Sequence, residues 1–191
     1  MLLLSAGLLL FLGIHTFRVA ASGTRDALVK RWGEGTWKGV YSLVSAIGLG
    51  LIVYGYSQAR LSPIVLWAPP LWTRHLALLL MVPFFMLLAA AYVPGTRLKA
   101  AIGHPMVASV KLWALAHLLA NGNAADVLLF ASFLVWAVID FISLRRRDRS
   151  AGRVYPSGDV SRDLAVVVIG AAVWAVFVFY LHRVLIGVAL L

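Results

Sequence analysis

Six apolar runs punctuate this chain, and no other feature constrains its fold as much. They are Leu2–Ala21, Gly39–Gln58, Arg74–Tyr92, Met106–Leu119, Val127–Leu144 and Leu164–Leu181. A bilayer core about 30 Å thick is crossed by about 20 apolar helical residues. Inside hydrocarbon, a segment must satisfy its own backbone polar groups, which a helix does. The runs therefore predict an all-α membrane protein, a bundle of about six transmembrane helices forming one domain over residues 1–191. The fourth run is the shortest. His104-Pro105 opens it, with proline suited to a first helical turn, and Asn121-Gly122-Asn123 closes it with a stop and turn signal.

Composition agrees. Of 191 residues 62% are apolar and 13% charged, about half the charged fraction a soluble domain uses to cover its surface. The mean hydropathy is +0.93. The expected partner of most of the surface is the lipid bilayer. With no cysteine, the chain offers no disulfide, no thiolate metal site and no cysteine nucleophile. The net charge of +10 does not point to nucleic acid, because the basic residues sit in short segments between apolar runs.

Where those basic residues fall predicts an orientation. Arg18, Arg25, Lys30, Arg31 and Lys38 lie in or beside the first loop, Arg97 and Lys99 in the third, and Arg145, Arg146, Arg147, Arg149, Arg153 and Arg162 in the fifth. The opposite side carries Arg60, Arg74 and Arg183. By the positive-inside rule the odd-numbered loops are cytoplasmic and both termini lie outside. The first run reads as a retained helix, since its first basic residue, Arg18, follows the apolar stretch instead of preceding it.

Ionisable groups inside a membrane call for a partner or a task. The candidates are His15, His75, His104, His117 and His182, with Lys111 and Asp140. His75, His104 and His182 lie near helix ends, where an imidazole can hydrogen-bond to interfacial water. His15 and His117 lie deeper, where a helix-to-helix hydrogen bond is the plain alternative to a functional role. Histidine without cysteine in a helical membrane protein points to haem with imidazole axial ligands. Lys111 and Asp140, at similar depths on antiparallel neighbouring spans, are expected to pair, and the alternative partner for Lys111 is a haem propionate. Gly48, Gly50 and Gly55 predict close helix packing. Trp67 and Trp72, flanking Pro69-Pro70, predict an aromatic belt. No zinc motif, phosphate-binding loop or dinucleotide fingerprint is present.

Several segments together resemble the NnrU family. They are Gly13-Ile14-His15, Gly33-Glu34 ahead of Tyr41-Ser42-Leu43, Gly103-His104-Pro105-Met106, Leu112-Trp113-Ala114-Leu115-Ala116-His117-Leu118-Leu119-Ala120-Asn121-Gly122, and His182-Arg183-Val184-Leu185-Ile186-Gly187-Val188. The likeness spans essentially the whole chain, with Gly103 where the family usually has arginine. It implies a bacterial inner (cytoplasmic) membrane protein linked to denitrification, that is, to nitrite and nitric oxide metabolism. Respiratory or denitrification proteins would be its partners.

The family is similar to plant zeta-carotene isomerase, which uses haem b. The resemblance implies His15 and His117 as iron ligands. Where the isomerase has an alternate cysteine ligand this chain has Ala114, which puts a ligand-switching isomerase mechanism in doubt. On the predicted spans His15 and His117 are separated by about 12 Å along the membrane normal at helical rise. His15 with His104, or His75 with His117, match better in depth and stand as alternatives. Two further readings remain open: a haem-dependent isomerase of a polyene, a hydrophobic small molecule, and a cofactor-free membrane scaffold or assembly factor.

Overall fold

In a computed structural model that describes residues 1–190, the chain is all-α. In order come α1 (Leu2–Ala20), α2 (Ser22–Trp32), α3 (Glu34–Ala59), α4 (Leu71–Tyr92), α5 (Arg97–Ile102), α6 (Pro105–Ala120), α7 (Ala124–Ser150), α8 (Val160–Val176), a π-helical turn (Phe177–Leu181) and α9 (His182–Ile186). Each of the six apolar runs is helical. Five helical stretches are long and apolar enough to cross a membrane: α1, α3, α4, α7 and the continuous run Val160–Ile186. The remaining run, the fourth in chain order, is α6, apolar but 16 residues long, and so the shortest of the set, as its sequence implied.

The residues group into two compact units, one of 1–69 with 121–140 and the other of 70–120 with 141–191. The long helix α7 contributes its first part to one and its last part to the other.

In the first unit α1 packs antiparallel on α3, and glycines set how closely. A Cβ added at Gly7 would stand 2.6 Å from the Ile52 backbone nitrogen, and one at Gly48 2.8 Å from that of Phe11. Gly55 meets the Leu4 backbone in the same way. Apolar burial drives little helix association in lipid, so this backbone-to-backbone approach and its dispersion gain hold the pair together. Gly50 departs from the expectation: its Cβ direction is open, because it lies off the Gly48–Gly55 stripe.

The segment between α3 and α4 is tied down by backbone bonds from Leu66 N to Gly122 O at 2.9 Å and from Ala124 N to Ile64 O at 2.8 Å. Asp126, only 3% exposed, accepts from the Tyr56 hydroxyl and from the backbone and side-chain nitrogens of Asn123. This seals the start of α7 against the end of α3.

The second unit is built on α4, with α6 and α8 beside it. Pro83 lies inside α4 and removes one intrahelical donor. Nearby, the Trp174 indole N–H donates to Leu78 O at 3.2 Å, joining α8 to α4. Gly170 lets α8 approach the Met86 backbone of α4. The loop ends are capped by short polar side chains. Thr96 Oγ1 accepts from Lys99 N at 3.0 Å to start α5, and Asp159 Oδ1 accepts from Ser161 N at 3.0 Å to start α8. That backbone bond, with Arg162 and Arg97 nearby, holds the Asp159 carboxyl below the usual carboxylate range.

Candidate functional site

Within the first unit, His15 stands on the last turns of α1 and is half-buried. Its Nδ1 lies 2.6 Å from the carbonyl oxygen of Phe11, one turn earlier. A carbonyl can only accept, so Nδ1 carries the proton and Nε2 carries the lone pair of the neutral ring. The ring sits in an aromatic box: Phe11 stacks on it at 4.2 Å, Tyr41 of α3 lies 5.2 Å away, and Trp136 of α7 meets it edge-on at 6.0 Å.

Two polar atoms of this unit are buried and, among the described residues, have no hydrogen-bond partner: Ser45 Oγ and Trp136 Nε1. Ser45 follows Tyr41 by one helical turn, on the face of α3 that meets α1. A buried, unmet donor costs about 1–3 kcal/mol. Two of them, one against His15 and one a turn from Tyr41, are what an absent acceptor group would satisfy. From its sequence Trp136 is simply a mid-span tryptophan; its burial and its missing acceptor belong to the packing.

Within the second unit, His117 on α6 repeats the local geometry of His15. Its Nδ1 donates to Trp113 O, one turn earlier, at 2.8 Å, and the Trp113 ring lies 5.3 Å away. In both histidines the backbone therefore selects the tautomer that presents Nε2, the arrangement an outer hydrogen bond gives to an imidazole ligand of a metal.

His104 is placed differently. Its Nε2 lies 2.7 Å from Asp148 Oδ2, with side chains only 16% and 12% exposed, and the Tyr155 hydroxyl donates to the same carboxylate oxygen at 2.6 Å. Arg153 approaches the other carboxylate oxygen at 3.7 Å. Burial, and next the bond to Asp148, push the Tyr155 hydroxyl up from its ordinary value. The His104 ring thus commits Nε2 to a carboxylate and ties the start of α6 to the charged end of α7. Asp148 and Tyr155 escape a reading by sequence. Nothing in an arginine-rich stretch marks which acid turns inward.

His75 is exposed on the first turns of α4, and His182 donates from Nδ1 to Val188 O at 2.8 Å across the end of α9. Lys111 holds its ammonium 3.6 Å from the centre of the Phe141 ring, a cation–π contact beside Asp140 in sequence. Among the described residues no three histidine, aspartate or glutamate side chains converge as a metal site. A porphyrin iron asks less of the protein than that, needing only axial ligands.

An all-α chain with several membrane-length helices, and with intramembrane imidazoles oriented by their own backbones, is a multi-pass integral membrane protein. The family model described as NnrU protein matches residues 3–190, nearly the whole chain, and the protein belongs to that family. No curated protein and no solved structure matches it.

Proposed function

We propose that this NnrU-family protein is a haem b protein of the bacterial cytoplasmic membrane, with both termini outside, and that it serves nitrite or nitric oxide metabolism. The observation carrying the reading is the shared lock on His15 and His117, each donating Nδ1–H to the carbonyl four residues back, which puts the ring lone pair on Nε2. The residues fit the group in a second respect: Trp136 and Ser45 offer buried donors with no acceptor among the described residues. When bound, the haem would supply one-electron redox chemistry.

The chain's own contributions follow from these positions. His15 and His117 would hold the haem iron. Phe11, Tyr41 and Trp136 exclude water around His15 and keep the local dielectric low. Lys111, a cation inside a span, is proposed to balance a propionate. His75 and His104 are the alternative ligands, His104 the less favoured because its Nε2 already engages Asp148. Proposed partners are a membrane-soluble small molecule and the respiratory or denitrification enzymes that exchange electrons with it.

Absorption spectroscopy of the purified protein tests the reading. A low-spin Soret band is expected, lost or severely weakened in His15→Ala and in His117→Ala and nearly intact in His75→Ala and His182→Ala. Protein that stays colourless after haem supplementation would end the cofactor assignment and leave a membrane scaffold as the better reading.

A further inference from the structure

Between α4, α5 and α8 of the second unit lies an open cleft of about 400 Å³, lined by Met86, Arg97, Leu98, Ala101, Asp163, Val166 and Val167. Its polarity is graded. Gly170 abuts Met86, so Met86 marks the deep end, and Val167, Val166 and Asp163 rise from there along α8. Met86 lies six residues before the end of α4, about 9 Å into the helix at helical rise. The charged lining residues, Arg97 and Asp163, stand together at the opposite end.

The charges at that mouth are not equivalent. Asp163 accepts from Leu98 N at 3.3 Å and Asp159 caps α8, so both carboxylates are engaged by backbone donors. Of the cations, Lys99 donates to Ala91 O and Arg162 to Pro94 O. Arg97 is exposed, with Asp159 as its nearby counter-charge. Arg162 is exposed too and, after its one bond from Nη1, keeps most of its five N–H donors. Arginine suits a phosphate through its planar fork.

We infer that this cleft binds one molecule of an anionic glycerophospholipid, its phosphate at Arg97 and Arg162 and one acyl chain along Leu98, Ala101, Val166, Val167 and Met86. The charge at the mouth selects the headgroup, and the apolar floor descending into the helix pair takes the chain. A free phosphate would use only the mouth. The inference is independent of the haem reading and would survive its failure.

Thermal unfolding of the full chain in a mild maltoside detergent, with added lipid, tests it. At a lipid concentration about ten times the dissociation constant, phosphatidylglycerol should raise the apparent Tm by about 3–5 °C more than phosphatidylcholine of the same chains. Arg97→Gln should abolish that difference, and Val167→Trp, which fills the cleft, should abolish the shift by either lipid. Arg149→Gln, an exposed arginine of α7 outside the cleft, should keep it. Equal shifts from the two lipids would overturn the assignment, as would a preference that persists in Arg97→Gln. A shift reproduced by glycerol phosphate alone would show an anion site and no lipid site.

Discussion

At the scale of single residues, the informative side chains are those whose hydrogen bonds cannot be supplied by lipid. Asp126 is the clearest case outside the proposed haem ligands. It is nearly fully buried and accepts from Tyr56 and Asn123. A hydrogen bond to a charged group contributes about 1.5–3 kcal/mol, and removing its donor leaves part of a buried charge unmet. Tyr56→Phe should therefore destabilise the protein by about that amount in a denaturant titration in detergent. Tyr54→Phe, on a neighbouring exposed position, should change it by less than about 0.5 kcal/mol. Equal effects of the two changes would remove Asp126 from the set of structural anchors.

At the scale of elements, the α1–α3 pair shows how a membrane protein specifies packing with its smallest side chains. Gly7, Gly48 and Gly55 lie where the partner backbone leaves no space for a Cβ, whereas Gly50 looks into open space. Overpacking a close contact costs about 1–3 kcal/mol, and more where the opposing atoms are backbone and cannot rotate away. Gly48→Leu should lower detergent stability by at least that much. Gly50→Ala should be neutral or stabilising by up to about 1 kcal/mol, since alanine favours the helix. Comparable losses at both positions would show that the stripe is not what holds the helices together. In the second unit, Pro83 lies inside α4, a π-helical turn Phe177–Leu181 follows α8, and the Phe85 and Phe177 rings pack 5.5 Å apart.

For the whole molecule, the basic residues predict the orientation: thirteen fall beside odd-numbered loops and three on the opposite side, with Lys111 inside a span. The positive-inside rule then places Arg147 in the cytoplasm and Asn123 outside. Topology reporters fused at these two positions should give opposite signals. The same compartment for both would sink the topology and, with it, the assignment of both termini to the outer face. The shortness of α6 makes this worth measuring, since 16 residues at 1.5 Å per residue span about 24 Å, less than the hydrocarbon core.

The sequence by itself determined the class, the six apolar helices and the family, while the short α2 and α5 lie in segments it read only as loops. Hydrophobic length decides whether a segment can be solvated by lipid, and that property is additive along the chain, so every apolar run reappeared as a helix. The boundary residues of α6 were equally legible, because Pro105 and Asn121-Gly122-Asn123 act locally. His15 and His117 could be singled out as imidazoles deep in spans. Their tautomer lock follows only from rotamers seen in three dimensions. Tertiary structure alone decided which polar residue meets which. Lys111 lies over Phe141, His104 is held by Asp148 and Tyr155, Asp126 is sealed by Tyr56, and Trp136 is left without an acceptor among the described residues. Those outcomes depend on helix rotation and on loop paths between residues 30 to 70 positions apart, such as Lys111 with Phe141 or Tyr56 with Asp126. A hydropathy pattern carries no information about either, because lipid accepts an apolar face at any rotation.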